Sequence, residues 1–421
     1  MRASRTAALA ALVLAAGTVL PAAPSAVAAG NSQTGPASTW FSVSNYRILD
    51  TRVGNGAPSG KVGPDSVTRL DLRKWLGTNV VPTAVVMNVT AVDPTGDSFV
   101  TAFPDGQQVP TVSNLNFDPR RQVTTNRVTV QVGANGVVDL YNHVGSVHLV
   151  VDLQGFYTAK GTNGNYPGST FVLGRPTRLL DTRTTIGDRQ GKVGAGEQNA
   201  IAADVSSVMP ADAGDSELVL QVTATEPTDA SHVTVYPAGQ SVWRTSDLNF
   251  AAGQTVTNLS YIDVGRGGLA LYNNAGQVDL VVDYIGRFDH HYPGTASGDH
   301  GLFVPAAPTR VLDTRSGLGA PAGQAGPGST VRVKVTGLGG VPENVTAVVL
   351  NLTGTNAAGD GHITAFRSGD AIPSTSNLNY AGGKDTAAMT VVPVGADGCI
   401  ELYNPHGSVD LVADVQGYYT G

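Results

Sequence analysis

The sequence predicts an all-β protein of three tandem β-sandwich domains, jelly-roll-like in type, on three observations. The motif Arg-x-Leu-Asp-Thr-Arg occurs at Arg47 to Arg52 and returns at Arg178 to Arg183 and at Arg310 to Arg315. Within each copy, apolar and polar residues alternate over short runs broken by Gly, Pro, Asn or Asp, which is the period of strands bounded by turns. Long amphipathic helical patterns are absent, and about eight short strands per copy suit a sandwich. Units of this length are too long for the blades of a three-bladed propeller and can close their own cores.

In chain order, residues 1–28 read as a secretory signal peptide. Arg2 and Arg5 precede an apolar run from about Ala7 to Leu20 that is too short to span a bilayer, and Ala26-Val27-Ala28 suits signal peptidase. Residues 29–40 are a polar, flexible lead-in. The repeats are expected at 41–158, 171–289 and 303–421. Linkers fall at 159–170 and 290–302, both rich in small polar residues and both carrying Tyr-Pro-Gly.

Inside repeat 3, Val331, Val333 and Val335 alternate, Gly337 to Pro342 turn the chain, and a buried run begins at Ala347. Val85 to Thr90 and Leu218 to Thr223 match that run. Next come Phe99 to Phe103, His232 to Tyr236 and His362 to Phe366. Each is followed by Ser-x-Leu-Asn-aromatic, a Val- and Thr-rich strand, Leu-Tyr-Asn and a closing Asp-x-x-Gly at Asp152, Asp283 and Asp414. Thr68 to Leu76 allows one short helical turn. Repeat 2 departs from the pattern with Asp247 where Asn114 and Asn377 stand, so it is the copy expected to have drifted.

These five landmarks, recurring in order over nearly the whole chain after the leader, resemble repeats of large secreted proteins of high-GC Gram-positive bacteria. The resemblance implies an exported, extracellular or envelope-associated modular protein, with no particular reaction or ligand attached to it.

Charge excludes one class of partner. The formal net charge is -7 at pH 7 with basic residues dispersed, and loss of the leader removes two more arginines. A phosphate-tracking surface needs clustered Lys and Arg, so nucleic acid is not expected. The single cysteine, Cys399, permits no intrachain disulfide; Val137 holds its place in repeat 1, which marks it as a small buried hydrophobe. No later segment is apolar enough for a membrane span.

The candidate ligand-binding residues are the recurring polar ones. Asp50 and Arg52, with Asp181, Arg183, Asp313 and Arg315, could hold an anionic or sugar ligand; equally, they could lock each strand internally against the closing Asp. On an extended strand Asp50 and Arg52 would face one side, Arg47 and Leu49 the other. Ser113 and Asn116, Ser246 and Asn249, and Ser376 and Asn379 could read sugar hydroxyls or satisfy turns. Asn142, Asn273 and Asn404 read as turn residues. The recurring aromatics are expected in cores.

No zinc or calcium ligand pattern recurs, no His-based catalytic constellation repeats, and no cofactor is expected. The chain therefore reads as a secreted, non-catalytic, multivalent adhesion or binding protein of the cell surface. Its expected partner is extracellular polysaccharide or cell-wall polymer, or a protein, three weak sites gaining avidity on one chain. A structural spacer or assembly protein of an extracellular layer is the alternative, and a glycan-degrading enzyme the third reading.

Overall fold

A computed structural model describes residues 34–163, 166–187, 189–209, 216–264, 268–291 and 298–421. The leader at 1–28 and residues 29–33 of the lead-in lie outside the described residues. Repeat 1 forms strands β1 (Ser38–Asp50), β2 (Ser66–Asp71), β3 (Pro82–Val92), β4 (Ser98–Pro104), β5 (Leu115–Phe117), β6 (Val123–Gln131), β7 (Val137–Asn142) and β8 (His148–Ala159). Repeat 2 forms β9 (Ser169–Asp181), β10 (Ile201–Ala203), β11 (Ser216–Thr225), β12 (Ser231–Pro237), β13 (Leu248–Phe250), β14 (Val256–Asp263), β15 (Leu269–Asn273) and β16 (Asp279–His290). Repeat 3 forms β17 (Phe303–Asp313), β18 (Ser329–Lys334), β19 (Val345–Thr355), β20 (Gly361–Arg367), β21 (Leu378–Tyr380), β22 (Thr386–Pro393), β23 (Cys399–Asn404) and β24 (Asp410–Thr420).

The fold is all-β, as expected, with short helical turns at Arg73–Leu76 after β2 and at Glu197–Asn199 before β10 among the described residues. In each repeat the first, eighth, third and sixth strands make one antiparallel sheet, and the second, seventh, fourth and fifth make another. That strand order is the jelly roll. Each repeat closes a core between its two sheets, around Met87 and Val151, Leu220 and Val282, and Leu350 and Ala413.

The repeats are not beads on linkers. The outer strands β2, β10 and β18 of the second sheets alternate with exposed residues, whereas β8, β11 and β24 of the first sheets are buried almost throughout. A strand buried on both faces needs a second partner layer. Here that layer is the other two repeats: the three first sheets turn their outer faces to a common pseudo-threefold axis and enclose a fourth core. Edge pairings at Ser38 with Phe303 and at Trp40 with Ser169 join these sheets.

Six equivalent-by-threes rings fill the fourth core. Trp40, Phe171 and Phe303 open the repeats, and Tyr157, Phe288 and Tyr419 close them. Phe171 and Tyr419 stack at 4.2 Å between centroids, and Tyr157 meets Phe303 at 4.4 Å. Each buried ring contributes about 1.5–3 kcal/mol. The closing glycines Gly155, Gly286 and Gly417 seat the opening rings, because a Cβ there would strike Trp40, Phe171 and Phe303 respectively.

Trp40 therefore corrects the sequence reading: it belongs to β1 and to the centre of the molecule, although its polar neighbours placed it in the lead-in. Ser169 and Thr170, assigned to a linker, likewise belong to β9, and His290 to β16. Tyr141, Tyr272 and Tyr403 are half-buried instead of core residues.

Candidate functional site

The Arg-x-Leu-Asp-Thr-Arg motif is built as an internal lock. A bulge in β1 between Arg47 and Leu49 breaks the simple alternation, so Arg47 and Asp50 share a side, contrary to the expectation for a regular strand. Arg47 donates from Nε to Asp152 Oδ1 at 2.9 Å and from Nη2 to Asp152 Oδ2 at 3.2 Å. Its Nη1 also lies 3.4 Å from Asp50. Asp50 accepts the backbone N–H and guanidinium of Arg52, at 3.1 Å and 2.9 Å to Oδ1.

The same bonds recur from Arg178 to Asp283, Arg183 to Asp181, Arg310 to Asp414 and Arg315 to Asp313. Arg52 and Arg315 hold the Asp50 and Asp313 carboxyls below the usual carboxylate range. At Asp181 burial opposes Arg183 and loses. Burial raises Asp152, Asp283 and Asp414 despite their arginines. Thr51, Thr182 and Thr314 finish the lock by accepting the N–H of Leu149, Leu280 and Leu411.

The Asn of Leu-Tyr-Asn is also structural. Asn142 donates Nδ2 to Gly63 and Gly145 carbonyls, and Asn273 and Asn404 do the same work in their own loops.

The Ser-x-Leu-Asn-aromatic motif does something else: its three copies meet. Asn116, Asn249 and Asn379 occupy the middle of the short strands β5, β13 and β21, between two buried residues. These strands lie where the repeats adjoin, so the three amides line one cavity of about 30 Å³ on the axis, together with Thr124, Thr125, Thr257, Thr386 and Arg121. Asn249 Nδ2 donates to Thr125 Oγ1 at 2.6 Å across the repeat boundary and to Ser246 Oγ at 2.9 Å. Asn379 donates to Ser376 Oγ at 3.4 Å. Asn116 Nδ2, Thr124 Oγ1 and Thr386 Oγ1 are enclosed without a protein partner.

Such groups demand a partner when enclosed, and a space of this size holds a water molecule or one hydroxyl group. Beside the mouth, Lys384 of repeat 3 lies 3.2 Å from Asp118 of repeat 1. Burial pushes the Asp118 carboxyl up, but Lys384 and Arg120 together hold it low.

The serines also act through their backbones, docking each loop on the next repeat. Ser246 O accepts from Asn88 Nδ2 and Ser113 O from Asn351 Nδ2, both at 2.6 Å. At the third seam Ser376 offers its N–H to Asp283, and Arg178 Nη2 donates to Ser374 O at 2.7 Å. These head-to-tail contacts close a ring.

Residues not singled out by sequence make that ring specific. Register places Arg127, Leu259 and Met389 at one equivalent position. Fully buried Arg127 bonds Asp247 at 3.0 Å across the seam of repeats 1 and 2. Asp247, read as drift, is therefore the partner of a second departure 120 residues away. Likewise Glu217 stands where Ala84 and Ala347 do, and accepts from the indole Nε1 of Trp40, which stands where the others have Phe. The visible signal was one unmatched residue in each of two repeats.

Among the described residues no group of three His, Cys, Asp or Glu could hold a metal ion, and no helix is long and apolar enough to cross a membrane. No family model matches the chain, and no curated protein matches it. A chain of the solved structure described as "Life in the extremes: atomic structure of Sulfolobus Turreted Icosahedral Virus" is similar over 93% of this chain and 91% of that chain. The identity is 11% and the TM-score 0.17.

Proposed function

We propose that this is a secreted protein that acts by binding extracellular or cell-surface polymer, polysaccharide or cell-wall polymer in the first place, through the axial mouth formed by its three repeats. The convergence of Asn116, Asn249 and Asn379 on one cavity carries this reading. Carboxamides and threonine hydroxyls both donate and accept, which suits the hydroxyl groups of a glycan. Three weak sites spread along a chain give way to one composite site, in which the three amides surround a space for one hydroxyl group of the ligand and Asn116 Nδ2 is the amide left to donate to it.

Catalysis has less support. Each recurring carboxylate is tied to an arginine and is not free to exchange protons with a substrate. Assembly into an extracellular layer would call for exposed apolar patches repeated in every unit. The exposed Val53 has Thr184 and Ser316 as its equivalents, and Val144 has Ala275 and His406; the apolar position that does recur, Val109, Val242 and Ile372, is exposed at Val109 and Ile372, half-buried at Val242, and a single residue in each repeat.

The test is retention of the leaderless chain on a panel of insoluble polysaccharides and isolated cell wall, beside Asn116→Ala/Asn249→Ala/Asn379→Ala. Each lost hydrogen bond is worth about 0.5–1.5 kcal/mol, so the folded triple variant should bind at least about tenfold more weakly. Equal retention of both proteins, or none by the parent on any polymer, contradicts the proposal.

A further inference from the structure

The three seams of the ring are not alike. Asn126 ties repeat 1 to Asn351 of repeat 3 at 3.0 Å, and Asn258 ties repeat 2 to Asn88 of repeat 1 at 2.9 Å. Their equivalent in repeat 3 is Ala388, opposite Leu352, which can make no such tie to repeat 2. At that seam a cleft of about 690 Å³ opens between the middle of β9 and the end of β20 with its following loop. This lies within the size range of ligand pockets.

Two arginines line the cleft, one from each side. Arg175 projects from repeat 2 and Arg367 from repeat 3. Neither exists elsewhere in the triplicate: Ser44 and Ala307 stand at the first position, and Pro104 and Pro237 at the second. Every arginine of the Arg-x-Leu-Asp-Thr-Arg motif is held by a carboxylate. Among the described residues Arg175 and Arg367 have no ion pair, and Arg367 Nε is enclosed without a hydrogen-bond partner. Both arginines that line the cleft therefore lack a carboxylate partner, and carboxylate or phosphate oxygens match the geometry of a guanidinium group.

The remaining wall fits a sugar carrying such a group. Asp370 at the rim accepts from hydroxyls and leaves the cleft net positive, while Ile372, Pro373 and Pro176 offer an apolar surface to a ring face. We infer that the seam cleft between repeats 2 and 3 is a second binding site, specific for an anionic glycan unit whose carboxylate or phosphate is clamped between Arg175 and Arg367. The inference rests on the binding reading above for its class of partner and on different residues for its site.

The experiment measures retention on polygalacturonate, on immobilised poly(glycerol phosphate) and on the neutral polysaccharide panel, for the parent, Arg175→Gln and Arg175→Gln/Arg367→Gln. Arg175 is exposed and unpaired, so its single variant keeps the fold. The parent should be held by at least one anionic polymer and released by salt. The single variant should bind that polymer several-fold more weakly and the double at least tenfold, with neutral-polymer retention unchanged. The polymer that responds assigns carboxylate or phosphate as the recognised group. Undiminished anionic retention by the double variant overturns the inference, as does failure of the parent to bind either anionic polymer. In that second case, neutral-polymer binding lost in the three-asparagine variant would leave the axial reading intact.

Discussion

Glu217 is a fully buried carboxyl in the central core, with the Trp40 indole as its donor. Burial pushes its pKa up to about 8. In the unfolded chain a glutamate titrates near about 4.3. Between those values the folded protein keeps a proton that the unfolded chain has lost. Stability therefore falls as pH rises through that window, by at most about 1.4 kcal/mol per pH unit. Denaturant unfolding at pH 5 and pH 8 should show the parent weaker at pH 8. Asp139, raised to about 6, adds a smaller slope of the same sign, so the comparison is with Glu217→Gln, which should reduce the difference. An unchanged slope in that variant would remove Glu217 from the explanation.

Arg127 and Asp247 make the second residue-scale prediction. Removing one partner leaves a buried charge unpaired, so Arg127→Leu or Asp247→Asn should each cost about 3–5 kcal/mol. The double variant restores the residue types of the other repeats and should recover most of that loss, because a buried pair replaced as a whole is often near neutral. Unfolding free energies of the four proteins measure this, and simple additivity of the two losses would refute the pairing. The sequence displayed both departures, yet pairing across repeats leaves no local spacing to connect them.

At the scale of the strand, the lock and the mouth divide the motif residues that sequence alone left ambiguous. Arg47→Ala strands Asp152, which is 1% exposed, and should lower stability by about 2–3 kcal/mol, reduced from the fully buried case by the partial exposure of Arg47. Arg52→Ala should cost less than about 1 kcal/mol, since Arg52 is more exposed and Asp50 keeps Arg47. Similar losses from both would count against the lock. Strand existence and order were legible because the turn signals and alternation are local. The bulge beside Ile48 was not, since it depends on what β1 meets across the ladder to β8.

At the scale of the whole chain, the triplicate is a closed ring of three jelly rolls. Its sequence signal was the near-continuous apolar and small-residue runs of strands such as β11 and β19, which call for cover on both faces. Linker composition pointed the other way, to separate beads, because short polar connectors serve a closed ring equally well. Repeat 1 expressed alone over residues 38–159 should expose the face that bears Ala84, Val86 and Tyr157, and associate or precipitate. Sedimentation as a stable monomer would contradict this.

Small-angle scattering of residues 29–421 tests ring closure most directly. A compact body of about 390 residues has a radius of gyration of about 21 Å, whereas three sandwiches in a row would exceed about 30 Å. A value near the first is expected, and a value near the second would contradict both the shared core and the axial site built upon it.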